Sequence, residues 1–590
     1  MTFARTCEKW LHNLDKRPGL GVTLSVLWIF VICGIGFFWH LGTIGLIDET
    51  EPLFAEASRQ MLVTGDWITP FFNGETRFDK PALVYWCQAI AYAIIGVNEW
   101  AVRLPSAIAA MGLIGLAFYT IHWHLTIANR LKNVYRPQLP WIIAALATAM
   151  MALSPQMIVW GRTGVSDMLL TGCITCSLFC FFLGYSSPHQ SANIFPSRWY
   201  TACYLCVAAG VLTKGPIGFV LPGLVVAAFL IYIGKFWQVV REMHLFVGLA
   251  IILVLSIPWY ILVFLQHGQT YIDSFFGYHN FERFTDVVNG HSAPWYFYFL
   301  VVLLGFAPYS VYLPVAIAKQ KFWQRQYWLN KERSQQLGLF TCIWFLVVFG
   351  FFTIAVTKLP SYVLPLMPAA AILVALLWGD FLSESTSPSL FFRVSAWVNV
   401  SLVTAIAILL FYVTQIIGKD PAAPDFRLVL EQSGLTVVGG VIWLVCSLLL
   451  AVTILRRFWL PLISVNLLTF TAFLLFVLTP ALFLMDSQRQ LPLRQISQTI
   501  VQTQKPDEEI VMVGFKKPTV VFYTQRPVIY FKSNQAGGEY IQKQKLQVAK
   551  SPSLLLIAQP KKFPKMGLQP SDYQILEKQG AYQLVRLPLD

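Results

Sequence analysis

The sequence predicts a polytopic α-helical membrane protein of about thirteen spanning helices with a small α/β domain outside the membrane at its C-terminus. Three observations predict it. Of the 590 residues, 56% are hydrophobic and 12% charged, whereas a soluble domain carries about 25% charged residues; the mean hydropathy is +0.60. Apolar runs approaching the roughly 20 residues needed to cross a bilayer recur through residues 20–484. Residues 485–590 then turn polar, with helix-like patches alternating with strand-like ones. Residues 1–484 are therefore expected to form the membrane domain and 485–590 an exported domain.

In chain order, the predicted spans lie near 20–41, 103–127, 139–155, 167–185, 198–212, 216–234, 244–266, 295–317, 336–356, 362–381, 392–416, 435–455 and 460–484. Arg5, Lys9, Lys16 and Arg17 precede the first, and no small-residue cleavage site follows it. It is expected to be a retained span and not a removed signal peptide. With the N-terminus inside, Lys319, Lys321, Arg325, Lys331 and Arg333 of loop 318–335 face the cytoplasm. So do Arg130, Lys235, Arg241, Arg393 and Arg456 in loops of the same parity, as the positive-inside rule requires. The net charge of +14 thus reflects topology, and no nucleic-acid partner is expected. Ten cysteines are present. The C-x-x-C pairs Cys173/Cys176 and Cys203/Cys206 lie inside apolar helices with no His or carboxylate at ligand spacing, so they read as helix packing and not as zinc or redox sites.

The outward loops carry the chemistry. In the largest, 42–102, Thr50–Leu62 is a predicted helix, with Pro52 and Glu51 in its first turn and Gly65 to close it. Pro81–Ile95 is a second amphipathic candidate ending at Gly96. Both suit helices lying in the interface and roofing a cavity. In the tail, helices are predicted near 492–503 and 538–548, strands at 509–515, 519–523, 527–531 and 553–558, and a hairpin around Gln579-Gly580. No nucleotide-binding glycine fingerprint occurs there.

Ionisable groups at a bilayer edge are costly unless paired or used. Here Asp48, Glu49 and Asp167 share the outer side with Lys80, Arg162, Lys214, His279, Arg283 and Lys358. Carboxylates beside cations suit transfer to or from a phosphate-bearing substrate. The cations stabilise charge on a departing phosphate, and a carboxylate accepts the proton of an attacking hydroxyl. The competing reading makes these groups interfacial anchors and loop ion pairs. Asp79 and His279 are of types that share a divalent cation, although two ligands are few and a simple hydrogen-bonded pair is the alternative. Trp67, Trp86, Trp295 and Tyr296 read as an aromatic belt. A transporter or flippase would favour inverted repeats and helices broken at mid-membrane, and neither pattern is present. A structural or assembly role for the tail leaves the outer charges unexplained.

Several spaced motifs together resemble one family. I-D-E-T-E-P-L-F-A-E-A-S-R-Q-M-L, R-F-D-K-P-A-L, S-P-Q-M-I-V-W-G-R-T-G-V-S-D, L-T-K-G-P-I-G, H-N-F-E-R-F and T-K-L-P-S-Y resemble, in order over residues 20–380, the aminoarabinose (lipid A) transferases. These are GT-C integral-membrane glycosyltransferases related to the protein O-mannosyltransferases. The resemblance implies an outward-facing active site in a bacterial inner membrane. The donor would be a sugar such as 4-amino-4-deoxy-L-arabinose on undecaprenyl phosphate, and the acceptor lipid A or another envelope molecule. It implies Asp48 as catalytic carboxylate, with Glu49 beside it and Asp167 as the second acid. Lys80, Lys214, Arg283 and Tyr362 would hold the donor phosphate, joined on the outer face by Lys358 and Arg162. No cofactor is expected to be obligatory. A divalent cation at Asp79 and His279 is the exception to weigh, and Asp79 replaces the family's Glu before Lys-Pro, which shortens its reach. A polyprenyl-phosphate-mannose-dependent protein O-mannosyltransferase is the alternative within the enzyme class.

Overall fold

A computed structural model describes residues 18–131, 138–187, 196–275, 277, 292–383, 388–546 and 552–589. All thirteen predicted segments are helical in it. Among the described residues, nine helices are long and apolar enough to cross a membrane, or up to eleven if two bent pairs each count as one span. In one pair, α5 (Leu139–Ala152) and α6 (Pro155–Gly161) meet at 63°, where Pro155 has no N–H to continue the first helix. In the other, α11 (Phe297–Gly305) turns by 112° into Tyr309–Lys319, across Pro308. Two predicted spans, α8 (Arg198–Lys214) and α9 (Ile217–Tyr232), are short, and α10 (Leu245–His267) follows them at full length. The predicted count of thirteen thus combines nine full-length helices, two bent pairs and two short helices.

The site is positioned by the first outer loop. It runs from α1 (Pro18–Cys33) into α2 (Thr50–Thr64), then a two-stranded hairpin β1–β2 (Phe71–Phe72, Glu75–Thr76), then α3 (Leu83–Ile95). Both predicted interfacial helices are present. Gly65 closes α2 in the left-handed region at φ 73°, a geometry that costs a residue without Cβ nothing. The hairpin was not expected, although Asn73-Gly74, both at positive φ, is the dipeptide that favours such a turn. The loop then enters α4 (Glu99–Leu131), and α7 (Ser166–Ser186) packs beside α4 and α8.

The loop is fastened by a buried ion pair. Glu51, in the first turn of α2, accepts from Arg103 Nε and Nη2, both at 2.8 Å, and from the backbone N–H groups of Ile47 and Gly164. Arg103 spends its remaining donors on the carbonyls of Leu41, Ile44 and Gly45. Both side chains are almost wholly buried, and every lone-pair site and N–H of the pair is used, the condition under which a buried charge pair is tolerated.

Beyond the last helices, α12 (Leu337–Ile354), α13 (Met367–Ser383), α14 (Leu390–Ile416), α15 (Leu435–Leu455), α16 (Pro461–Phe473) and α17 (Thr479–Arg489), the tail begins with α18 (Leu491–Thr503). It folds into a five-stranded sheet of order β4-β3-β5-β7-β6. β3 (Ile510–Val513) pairs in parallel with β4 (Val528–Phe531) and β5 (Ser553–Ala558), and β6 (Gln574–Gln579) and β7 (Tyr582–Pro588) add the expected antiparallel hairpin. Helix α20 (Asn534–Leu546) follows β4. The predicted strand at 519–523 is instead helix α19 (Pro518–Thr524). The run V-V-F-Y is too short for periodicity to separate strand from helix, and Pro518 at the first helical position favours the helix. Its apolar side packs onto the outer loop, with Phe522 and Tyr523 against Leu46, Ala55 and Tyr92.

Candidate active site

Asp48 lies three residues before Glu51, so the buried pair that anchors the loop also fixes where Asp48 can point. It lines two cavities. The larger, 770 Å³, is bounded also by Glu51, Arg77, Asp79, Lys80, Asp167 and Lys214. The smaller, 220 Å³, lies toward α17 and is lined by Ile44, Ile47, Leu482, Met485, Asp486 and Arg489.

The cations of the larger cavity are held by neighbouring acids. Lys80 Nζ lies 2.7 Å from both the carboxylate and the carbonyl of Asp79, and Arg77 Nη2 binds the second Asp79 oxygen at 2.7 Å. Lys214, at the C-terminal end of α8, binds Asp167 at 2.8 Å and stands 5.4 Å from the centre of the Tyr362 ring. Asp167 occupies the first turn of α7, where the helix dipole favours an anion. A third pocket of 130 Å³ shares Asp79, Lys80, Asp167, Lys214 and Ser361 with the larger cavity. Thr171 and Tyr362 aside, its other walls are apolar, among them Leu170, Ile174, Ile217, Leu221, Phe351 and Phe352. Two ammonium groups thus stand where a polar cavity meets an apolar slot. Such a junction has the chemistry to suit an anionic head on a hydrocarbon chain.

Asp48 itself is met from the tail. Its Oδ1 accepts from the Thr519 hydroxyl, with the Thr519 N–H at 3.4 Å, and Lys517 Nζ lies 4.0 Å from Oδ2. Burial pushes the Asp48 carboxyl above the usual carboxylate range, an effect that the Thr519 hydroxyl and the Lys517 charge partly offset.

The structure brings Asp48, Asp167, Lys80, Lys214, Tyr362 and Asp79 together. It places three predicted site residues elsewhere. Glu49 is exposed at the start of α2, and the adjacent carboxylate that reaches the cavity wall is Glu51. Lys358 turns its ammonium onto the carbonyls of Thr353 and Ala355, at 2.8 and 2.7 Å, where it neutralises the C-terminal end of α12. Arg162 points toward the carbonyl of His40 at 3.5 Å and lines neither the larger cavity nor the apolar slot. His279 and Arg283 lie outside the described residues. Asp79, the predicted metal ligand, has each oxygen on a cation, and no group of three or more His, Cys, Asp or Glu side chains suited to a metal occurs among the described residues. Glu51, Arg103, Lys517 and Thr519 were missed: no spacing in the sequence signals a contact between residue 48 and residue 519.

Comparison with known proteins places this geometry in context. Residues 46–272 match the profile of the dolichyl-phosphate-mannose-protein mannosyltransferase family. Residues 503–590 match the C-terminal domain of cyanobacterial RgtA-type glycosyltransferases. An undecaprenyl phosphate-α-4-amino-4-deoxy-L-arabinose arabinosyl transferase from Photorhabdus laumondii is 30% identical over 379 residues, 63% of this chain and 62% of that protein. One from Pseudomonas aeruginosa is 29% identical over 353 residues, 59% of this chain and 58% of that protein. The chain therefore spans about three fifths of the length of these relatives. The crystal structure of ArnT from Cupriavidus metallidurans bound to undecaprenyl phosphate superposes with a TM-score of 0.72 at 22% identity, covering 96% of this chain and 97% of that one. The fold of the whole chain, membrane helices and sheet domain alike, is thus one already seen in a solved structure.

Proposed function

We infer that this chain acts as an aminoarabinose transferase of the GT-C type and moves a sugar from an undecaprenyl-phosphate carrier to lipid A or another envelope acceptor. The observation that carries the reading is the pairing of Lys80 and Lys214 with an apolar slot. That shape suits a polyprenyl phosphate.

In the reaction, an acceptor oxygen attacks the anomeric carbon and the bond from that carbon to the carrier phosphate oxygen breaks. Undecaprenyl phosphate leaves with the electron pair, and its growing charge is met by the ammonium groups of Lys80 and Lys214. On donor binding the phosphate joins the Lys80–Asp79 and Lys214–Asp167 pairs. An acceptor hydroxyl gives its proton to Asp48, whereas an acceptor phosphate is already ionised and Asp48 then mainly orients neighbouring groups. The two cavities that meet at Asp48 suit a donor on the Lys80 side and an acceptor on the α17 side. The residue types of Asp79 and His279 also suit a divalent cation. Asp79's engagement with Arg77 and Lys80 does not favour it, and no step here runs through a metal.

The charge pattern of the loops supports an inner-membrane topology with the N-terminus cytoplasmic. Residues 485–590 then form a separate periplasmic domain above the membrane domain, residues 1–484. One observation favours a second acceptor. The match of residues 46–272 to the protein mannosyltransferase profile is to enzymes that glycosylate protein.

The test is transfer of labelled sugar by purified protein in lipid, from a panel of undecaprenyl-phosphate sugars, to lipid A and to Ser/Thr peptides. Transfer to lipid A is expected. Transfer to peptide alone would move the assignment to protein glycosylation. No transfer from any carrier-linked sugar by folded protein would overturn the enzyme reading.

A further inference from the structure

We propose that Lys517 and Thr519, on the C-terminal sheet domain, are positioning residues for Asp48, so that the site is complete only when this domain is docked on the outer loop. The proposal rests on the transferase reading for its meaning, and on geometry for its support.

The sheet order β4-β3-β5 reverses direction at β3. In open α/β sheets, the crevice beyond the carboxyl ends of the strands at such a switch point is where ligands are met. Here the segment leaving β3, Gly514–Lys517, leads straight into α19, and what it meets is Asp48. Lys517 is buried, its carbonyl held at 2.9 Å by the Tyr530 hydroxyl, and its ammonium stands 4.0 Å from the Asp48 carboxylate. Thr519, wholly buried, donates its hydroxyl to the same carboxylate. A mobile appendage would not bury a lysine and a threonine against one carboxylate. A cation and a donor there favour the ionised form and fix its rotamer.

Independent contacts register the domain on the loop. Asn73 at the tip of the β1–β2 hairpin exchanges two hydrogen bonds with the backbone of Val528, at 2.8 and 2.9 Å. The Tyr523 hydroxyl accepts from the Leu46 N–H and donates to Glu99. Below the domain, Arg494 binds Asp486, which accepts from the Gly45 N–H at 2.7 Å. Gly45 and Leu46, the two residues before Ile47 and Asp48, are thus held from the tail side, and Gly45 also by Arg103.

Other charges face Asp48 and belong in any titration of it. Glu49 adjoins it in the chain, and the phenols of Tyr530 and Tyr582 lie within electrostatic range. Across the larger cavity stand the Lys80–Asp79–Arg77 and Lys214–Asp167 sets, with Glu51 neutralised by Arg103. Across the smaller cavity are Arg489 and Asp486.

The experiment uses the full chain in lipid nanodiscs and compares Lys517→Met, Thr519→Val and the conservative Thr519→Ser. The Asp48 carboxyl is titrated by infrared difference spectroscopy against Asp48→Asn, beside transfer kinetics and undecaprenyl phosphate binding. Both Met and Val variants are expected to raise the Asp48 midpoint by about one pH unit, because each removes a group that favours the carboxylate. They are expected to lower kcat at least tenfold while KM for the donor stays within about twofold, and Thr519→Ser restores both. A midpoint unmoved in Lys517→Met and Thr519→Val, in protein that binds undecaprenyl phosphate like wild type, would overturn the proposal. Should wild type transfer none of the sugars tested, the midpoint alone decides, which separates failure of this proposal from failure of the transferase reading.

Discussion

At the scale of single residues, the proposed mechanism divides its work between Asp48 and the two lysines, Lys80 and Lys214. Asp48→Asn keeps the shape and removes the charge, and transfer to a hydroxyl acceptor is expected to fall at least about a hundredfold, the range of a lost general base, with undecaprenyl phosphate binding preserved. The sign of the pH dependence follows from burial, which raises the Asp48 carboxyl, less the opposing effects of Thr519 and Lys517. As pH falls, the carboxylate is lost earlier than an exposed one would be. The acid limb of the rate profile should therefore lie above the ordinary carboxylate value, and a limb at or below it would contradict the burial of the group. Lys80→Ala and Lys214→Ala each remove a charged hydrogen bond of about 1.5–3 kcal/mol and are expected to weaken undecaprenyl phosphate binding at least tenfold in a binding titration. Asp48, Lys80, Asp167 and Lys214 could be picked out from sequence because an ionisable residue at a bilayer edge stands out against apolar neighbours. Lys358 stood out for the same reason, yet it caps a helix. Sequence places a charge near the interface but does not give its direction.

At the scale of elements, the outer loop is a rigid platform because Glu51 and Arg103 satisfy each other completely. Glu51→Gln leaves a buried guanidinium with no counter-charge and should cost about 3–5 kcal/mol, seen as a large loss of folded protein in detergent. An unchanged melting temperature would contradict this. In the tail, Glu508 is buried, and its carboxyl lies below the usual range. Burial alone would raise it, but hydrogen bonds from Arg586 at 2.8 and 3.1 Å, from the Lys505 N–H and from Ser553 prevail. Its contribution is therefore present above the unfolded carboxyl value and lost as pH falls through the folded one. Acid unfolding of the domain, followed by circular dichroism, should begin at higher pH in Arg586→Met. The helices were legible from apolar length alone, and α2 also from Pro52 and Gly65. The strand expected at 519–523 is a helix because four apolar residues carry no period, while Pro518 favours the helix at its first position and its apolar side packs onto Leu46 and Tyr92.

At the scale of the whole molecule, a membrane bundle and a sheet domain clamp one loop between them, and Asp48 sits in the clamp. The fold class could be read from composition, but the clamp could not, because its contacts join residues more than four hundred positions apart. Topology gives a further expectation: reporter fusions after Thr503 should be active in the periplasm and those after Arg325 should not, and the reverse would invert the assigned orientation. The central claim is that Asp48, Lys80 and Lys214 form one site that cleaves a sugar from a polyprenyl phosphate. Its most direct measurement is release of free undecaprenyl phosphate from a carrier-linked sugar when acceptor is added to wild type, Asp48→Asn and Lys80→Ala. Acceptor-dependent release by wild type, with Asp48→Asn holding donor but releasing none and Lys80→Ala holding it poorly, is the predicted result. Equal release by wild type and Asp48→Asn would contradict the account.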